Sequence, residues 1–415
     1  MYEKPVNIEV ARKQHEEFRA ALRRHGILCL TVRQVLLHDA ERSMTARIAL
    51  EELAMSVLTY ELSAEEINGV VDNDGDEDQR CTDADHYFVG DEYKRKVLEV
   101  MSAEQLIDVV LCHPTVTMRP SFRDTGFTAS YRFNPLTNMQ FTRDQQITTN
   151  KGLVMGRLRS TQRQHEVKLM RFCFDKLGLH VIGAVEAPGY LEGGDYYPAG
   201  PGLAFLGVGM RTNEEAAVQL MEKDLLGTRR LAVVRDDFEQ CQDRMHLDCV
   251  FNILGRTCCI LAEDVIGTDK PFRRIVDEYV RVDDDDNNGR PGPGGKRDGG
   301  GGGGGLRYVK TNRSGMEFSE YLKSEGYNII PISREMQLEY GCNALNLGRE
   351  NVLTCHAGAA RVIAKSPHFT GDLEHLEFGS ITSMYGALHC SSQVLVRNKD
   401  VVLRRAVQLP DGGLL

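Results

Sequence analysis

The chain has 415 residues, of which 41% are hydrophobic, so it is long enough for one large domain or two ordinary ones. Its formal net charge of -10 argues against broad contact with phosphate backbones, and we expect no nucleic-acid partner. It has no run of roughly eighteen apolar residues and no apolar signal-peptide core near its start. These features predict a cytoplasmic chain without a membrane partner.

The cysteines indicate a reducing compartment. There are eleven, an odd number, and they follow no repeated spacing, which is atypical of a disulfide framework. No Cys-x-x-Cys pair occurs, so no zinc site is predicted.

One unit recurs four times along the chain: an amphipathic helix, a glycine suited to positive φ, and a short apolar strand. The copies are VARKQHEEFRAALRRHG before ILCLTV, HEVKLMRFCFDKLG before LHVIGAV, NEEAAVQLMEKDLLG before TRRLAVVR, and GMEFSEYLKSEG before YNIIPIS. Their stop glycines are Gly26, Gly178, Gly227 and Gly326. Repeated units of this kind predict an α/β architecture, and their unequal spacing excludes a simple solenoid.

Two segments interrupt the repeats. Residues 40–115 have a helical pattern with few strand signals, which predicts an inserted helical domain. Residues 283–305 are rich in Asp and Gly and are predicted to be a disordered insertion. The α/β domain is therefore expected to comprise residues 1–39 and 116–415.

Polar residues cluster in two glycine- or proline-bearing segments. FNPLTNMQFTRD contains Asn138, Arg143 and Asp144 together with Phe141, although a loop Asn or Asp more often caps an ordinary turn than takes part in catalysis. In YLEGGDYYPAG, Gly-Gly would allow a close backbone approach beside Glu192, but a tight turn with solvated acids also fits.

Two further segments offer groups that catalyse proton transfer or nucleophilic attack. MHLDCVFNILG places His246 and Asp248 two residues apart, so in extended chain both would project to one face. This fits a general acid/base histidine beside a carboxylate or a structural histidine. Cys390 stands at a predicted junction between a loop and the strand-like SQVLVR, as a reactive thiol or a buried core residue.

Taken together, the order and spacing of NMQFTRD, EGGD, GMRT, HLD and the final cysteine resemble the arginine deiminases from about residue 10 onward. The resemblance implies a five-bladed α/β propeller of ββαβ modules, the pentein fold, with an inserted helical domain. The strand and loop that open these sequences are absent here, so the first strand is expected to be missing.

The resemblance also implies the reaction, which is hydrolysis of free L-arginine to L-citrulline and ammonia through a thiouronium on the cysteine. The implied catalytic residues are Cys390, His246, Glu192, Asp144 and Asp248. The implied substrate-binding residues are Asn138, Phe141, Arg163, Asp195 and Arg211. No metal or organic cofactor is expected, the implied partner is the small-molecule substrate, and a homo-oligomer is compatible with the sequence.

The cysteine loop departs from the family pattern. Residues 385–389 replace the usual arginine and run of glycines, and ALHCSSQVLVR is similar to the loop of the peptidyl-arginine deiminases. Three alternatives therefore stay open: a deiminase of protein-bound arginine, an amidinotransferase, and a non-catalytic descendant that binds arginine or a protein partner.

Overall fold

The computed structural model describes residues 5–63, 87–120, 127–282 and 307–396. The chain divides into two compact units, one of residues 1–29 and 140–415 and the other of residues 30–139. The disordered insertion predicted over residues 283–305 lies outside the described residues. In the part of the chain that is described, no helix combines the length and apolar character needed to cross a bilayer.

The first helix, α1 (Ile8–Arg24), confirms the first predicted amphipathic helix. Asn7 caps it by accepting a hydrogen bond from the Val10 amide at 3.2 Å. Its buried face includes Phe18, whose ring meets Phe378 edge-on with centroids 5.6 Å apart.

The strand predicted at ILCLTV is wrong, because residues 27–31 form no strand. Thr31 instead forms a capping box with Gln34: the Gln34 amide donates to Thr31 Oγ1 at 3.2 Å, and the Thr31 amide donates to Gln34 Oε1 at 2.9 Å. A second helix, α2 (Val32–Leu37), therefore begins where the strand was expected to continue.

The unit of residues 30–139 contains more than helices. Its helices are α2, α3 (Met44–Met55), α4 (Asp91–Glu99) and α5 (Ala103–Cys112). It also has strands β1 (Thr59–Leu62), β2 (Pro114–Pro120) and β3 (Phe127–Phe133), with β1 parallel and β3 antiparallel to β2. The helical pattern thus predicted the helices but not the sheet.

The other unit repeats a ββαβ module, in which the second strand is antiparallel to the first and parallel to the last. The first two modules are β4 (Gln146–Thr148), β5 (Leu153–Met155), α6 (Gln164–Lys176) and β6 (Val181–Ala184), then β7 (Tyr196–Pro198), β8 (Leu203–Val208), α7 (Glu214–Glu222) and β9 (Arg230–Arg235).

The third module begins with β10 (Phe251–Ile253) and β11 (Cys258–Ala262), and a long excursion follows these two strands. The excursion contains β12 (Ile275–Val282), β13 (Arg307–Lys310) and β14 (Met316–Glu317). Strand β12 pairs with β9, so the excursion extends the second module's sheet to six strands. The module is completed by α8 (Phe318–Ser324) and β15 (Asn328–Ile332).

After a short helix, α9 (Arg334–Leu338), the fourth module comprises β16 (Leu345–Asn346), β17 (Asn351–Thr354), α10 (Ala357–Lys365) and β18 (Asp372–His375). A one-turn helix, α11 (Gly379–Thr382), precedes the cysteine loop. The chain is thus mixed α/β, with four ββαβ modules among the described residues. A fifth blade and a missing first strand stay predictions.

Three of the four predicted helix–glycine–strand units are confirmed, each as the last helix and strand of a module. All four stop glycines have positive φ, between 67° and 87°. The core between the second and third modules is aromatic, with Phe251 packed edge-on against Phe205 and Phe318.

Candidate active site

Cys390 lies in a buried turn and is 8% exposed. Its Sγ atom is 3.2 Å from Asn343 Nδ2 and 3.6 Å from Asp248 Oδ2. Its carbonyl oxygen accepts a hydrogen bond from the Arg143 amide at 3.1 Å. These contacts connect Cys390 to the TRD segment through its backbone and to the HLD segment through its thiol, and both segments lie far away in sequence.

Burial, and then the nearby carboxylates of Asp248 and Asp144, raise the pKa of the Cys390 thiol well above its ordinary value. The thiol is therefore neutral near pH 7 in the free protein. A cation bound between the two carboxylates would favour the thiolate, which is the nucleophilic form.

The strand predicted after the cysteine is wrong, since residues 391–396 form no strand. The segment is instead held by side chains. The Arg143 guanidinium donates to His389 O at 2.9 Å and to Ser392 Oγ at 3.1 Å, while Gln393 Nε2 donates to Arg143 O at 2.8 Å. The cysteine loop is thereby bonded to the TRD segment on both sides of Cys390.

Asp248 is fully buried in a 3₁₀ turn, Leu247–Cys249, that precedes β10. The expectation of an extended HLD segment is therefore wrong. Asp248 Oδ2 accepts from His389 Nδ1 at 2.8 Å. Burial disfavours the charged carboxylate, but the hydrogen bond from His389 and the nearby charge of His246 outweigh it and lower the pKa of Asp248.

His246 is buried between two carboxylates. Its Nε2 atom is 2.8 Å from Glu192 Oε2, and its Nδ1 atom is 4.0 Å from Asp144 Oδ1. Burial opposes the imidazolium, but Asp144 and Glu192 outweigh it and raise the pKa of His246 to about 10. Despite burial, the same hydrogen bond lowers the pKa of Glu192 to about 2. The pair is thus ionic at neutral pH.

The glycines of EGGD permit this arrangement. A Cβ atom on Gly193 would collide with the carbonyl oxygen of Arg143, and one on Gly194 would lie 2.8 Å from His246 Nδ1. The Gly-Gly backbone does lie close to other groups, but these are the site's own histidine and the TRD backbone, so a close approach to a ligand stays a prediction. The alternative of solvated acids is wrong, because Glu192 and Asp195 are buried.

The guanidinium of Arg163 is bonded to carboxylates of the protein itself. Its Nη1 atom donates to Asp144 Oδ2 at 2.8 Å, and its Nη2 atom donates to Glu166 Oε2 at 3.0 Å. Gln145 Nε2 also donates to Glu166 at 2.7 Å. The arginine predicted to bind a substrate carboxylate is here paired with two buried carboxylates. Sequence reasoning missed Glu166, which its three-residue spacing from Arg163 on a helix could have indicated.

The remaining predicted substrate contacts have different surroundings. Asp195 Oδ1 accepts from the Leu247 amide at 2.8 Å, and burial raises the pKa of Asp195 to about 7. Arg211 Nη2 donates to Gln242 Oε1 at 3.1 Å. Phe141 is buried under Gly386, where a Cβ atom would overlap its ring. Asn138 belongs to the unit of residues 30–139.

A cavity of about 250 Å³ includes both His246 and Cys390 in its wall. Its other lining residues are Gln242, Asp243, Met245, Cys249, Gln337, Leu338, Tyr340, Asn343 and Tyr385. Among the described residues, the carboxylates of Asp144, Glu192 and Asp248 lie outside this lining. His246 and the Cys390 thiol therefore share one opening, and the three carboxylates are buried near it.

A metal ion has a geometrically feasible position. One atom each from Asp144, Glu192 and His246 lies within 4.8 Å of the other two. The same atoms serve the ion pair of His246, however, and the absence of a metal stays a prediction.

The profile of one protein family, described as arginine deiminase, matches residues 1–397. The chain belongs to the arginine deiminase family. Two arginine deiminases, from Halobacterium salinarum strain R1 and Staphylococcus aureus strain JH9, are each 22% identical, over 344 and 259 residues. These matches cover 64% and 60% of this chain but only 65% and 57% of the two relatives.

The chain also matches solved structures at low similarity. A dimethylarginine dimethylaminohydrolase adduct is 18% identical with a TM-score of 0.40, covering 61% of this chain and 77% of that chain. The product-bound N-terminal domain of a cyanobacterial arginine dihydrolase is 13% identical with a TM-score of 0.43, covering 80% of this chain and 94% of that chain.

The structure brings together the five catalytic residues that the resemblance to arginine deiminases implied. It adds Asn343 and His389, which contact the thiol and Asp248 respectively. Asn343 lies in the segment GCNAL, which carries no chemical signal in the sequence. His389 precedes the cysteine directly, so its position was visible in the sequence although its partner was not.

Proposed function

We propose that this chain hydrolyses free L-arginine to L-citrulline and ammonia through a covalent intermediate on Cys390. The observation that carries the proposal is that Cys390 lies 3.6 Å from the Asp248 carboxylate and opens on the same cavity as His246. Carboxylates recognise a guanidinium by charge-assisted hydrogen bonds, and a thiolate attacks its carbon.

The binding step uses two buried carboxylates. Asp144 Oδ1 is buried and, among the described residues, accepts no hydrogen bond. A buried acceptor of this kind is stabilised by a donor, and a guanidinium nitrogen supplies one. Asp248 Oδ1 contacts only the weak donor Cys249 Sγ at 3.7 Å in the described structure, and a second guanidinium nitrogen can replace it.

The chemical steps follow from the charges. The bound cation favours loss of the Cys390 proton to solvent, and Sγ then forms a bond to the guanidinium carbon. Protonated His246 gives its proton to the departing nitrogen, the carbon–nitrogen bond breaks, and ammonia leaves. Neutral His246 then takes a proton from water as the water oxygen bonds to the same carbon. The carbon–sulfur bond then breaks, the hydroxyl of the intermediate loses its proton as citrulline forms, and the departing thiolate takes up that proton to restore the thiol.

The pairing of Arg163 favours a second candidate. Its guanidinium is already bonded to Asp144 and Glu166, so a substrate carboxylate would compete with two buried carboxylates for the same donors. A guanidino compound without a free α-carboxylate, such as agmatine or arginine within a peptide, avoids that competition.

Assays of ammonia release and of ureido-product formation from arginine, agmatine and an arginine-containing peptide, run side by side, test both candidates. Cys390→Ala should abolish activity, whereas Cys112→Ala, which alters a half-buried thiol in the other compact unit, should not. Citrulline formation that survives Cys390→Ala would refute the covalent mechanism. Transfer of the amidino group to an added amine without ammonia release would identify an amidinotransferase.

A further inference from the structure

His389, the residue before the cysteine, is held in place by contacts of its ring and of its backbone. Its ring stacks on Tyr197, with centroids 5.1 Å apart and planes inclined by 5°. Its amide donates to Asn343 Oδ1 at 3.1 Å, and its carbonyl oxygen accepts from Arg143 Nε at 2.9 Å. Ring, amide and carbonyl are thus held by three different segments of the chain.

The ring's Nδ1 atom is directed at one oxygen of Asp248, the carboxylate beside the thiol. Asp248 Oδ2 lies 2.8 Å from His389 Nδ1 and 3.6 Å from Cys390 Sγ. Its other oxygen, Oδ1, contacts Cys249 Sγ at 3.7 Å, and Cys249 lines the cavity. The two oxygens therefore have different surroundings, with Oδ2 towards the loop and Oδ1 towards a cavity residue.

We propose that His389 is a positioning residue: its Nδ1–H holds Asp248 Oδ2 against the nucleophile loop, so that Oδ1 receives the substrate cation in line with Cys390 Sγ. The proposal rests on the proposed function only in taking a guanidinium-like cation as the ligand. A carboxylate that can rotate presents its oxygens in many orientations, whereas one held at Oδ2 presents Oδ1 in a single orientation.

Two substitutions separate this role from a general need for a polar side chain. Asparagine places its amide nitrogen close to the position of Nδ1, so His389→Asn retains the donor to Asp248. Glutamine places its amide nitrogen close to the position of Nε2, so His389→Gln moves the donor away from Asp248. His389→Ser, which is smaller and cannot reach Oδ2, replaces the glutamine variant if that variant does not fold. His25→Asn, which alters a half-exposed histidine near Glu374, is the control.

The readout compares alkylation of Cys390 by chloroacetamidine, which is a cation, with alkylation by chloroacetamide, its neutral counterpart. The rate for each reagent is measured by mass spectrometry of the peptide containing Cys390. Wild type and His25→Asn should react faster with the cation. His389→Asn should keep that preference within a few-fold, whereas His389→Gln should lose about tenfold or more, as expected for a charge-assisted hydrogen bond. Thermal unfolding of each variant checks that the fold is intact.

Each outcome decides the proposal. Retention of the wild-type preference by His389→Gln, or an equal loss in His389→Asn, would overturn it. No preference in wild type would overturn both this proposal and the binding step of the proposed function. A preference that depends on His389 in a protein that does not hydrolyse arginine would support the positioning role and refute the proposed function.

Discussion

Arg163 and Asp144 form a buried ion pair, with Nη1 of the arginine 2.8 Å from Oδ2 of the aspartate. The same guanidinium contacts Glu166, so one cation balances two buried carboxylates. An internal guanidinium thus already binds one of the carboxylates proposed to bind the substrate's guanidinium.

Arg163→Gln should destabilise the fold, because it leaves Asp144 and Glu166 buried without their cation. The expected loss in the free energy of unfolding is about 3–5 kcal/mol, as for other broken buried pairs. Urea denaturation followed by circular dichroism measures it. Arg12→Gln, which removes an exposed pair on α1, is the matched control and should give no measurable change. A similar stability for both variants would contradict the assigned ion pair.

Gly386→Ala should displace the cysteine loop, because its Cβ atom would overlap the ring of Phe141. We expect a loss of about 1–3 kcal/mol in stability, as for other overpacked sites, together with a loss of activity. Phe141→Leu removes the obstructing ring, so the double variant should recover part of both losses in a double-mutant cycle. Purely additive effects would show that the two residues do not contact each other.

The pair of His246 and Glu192 predicts how stability depends on pH. A histidine whose pKa rises to about 10 on folding stabilises the fold fully below its ordinary pKa of 6.5, and this contribution disappears as the pH rises to about 10. Glu192→Gln removes the carboxylate that makes the hydrogen bond, so wild type should exceed the variant in stability near pH 6. Thermal unfolding from pH 6 to pH 10 should show that difference narrowing. A difference that widens with pH would contradict the ionic pair.

The raised pKa of Cys390 predicts slow alkylation at neutral pH. The rate with iodoacetamide should rise only at alkaline pH, above the range of an ordinary thiol, because only the thiolate reacts. Addition of a guanidinium compound that binds without reacting should move this rise to lower pH. Mass spectrometry of the peptide containing Cys390 separates its rate from those of the other cysteines. A rate that is already maximal at neutral pH would mean that the thiol is ionised in the free protein.

Local periodicity predicted much of the fold. Helix, glycine and strand were predicted correctly in three units because each glycine ends its helix by a local rule. The prediction for the first unit was wrong at ILCLTV, where the side chain of Gln34 completes a capping box with Thr31 and a helix begins. A run of six mostly apolar residues does not reveal that a helix cap will end it.

The residues of the candidate site were predictable, but their pairing was not. Order and spacing indicated Asp144 and Cys390, yet no pattern indicated that Arg163 bonds to Asp144 or that His389 bonds to Asp248. His389 and Asp248 lie 141 residues apart, and only the packing of different modules brings them together. Arg163 and Asp144 lie 19 residues apart around the first module, but their pairing depends on side-chain directions that the sequence does not reveal. The HLD segment was expected to be extended because its two polar residues alternate with an apolar one. That alternation does not reveal the 3₁₀ turn that the segment forms.

The separation of Cys390 from its partners in the chain affects the order in which the site forms during synthesis. Asp144, Glu192, His246 and Asp248 all leave the ribosome before the cysteine, which follows Asp248 by 142 residues. At ordinary rates of translation this interval lasts roughly seven to thirty seconds. A nascent chain therefore contains the charged groups that attract a cation well before it contains the thiol that can react with one.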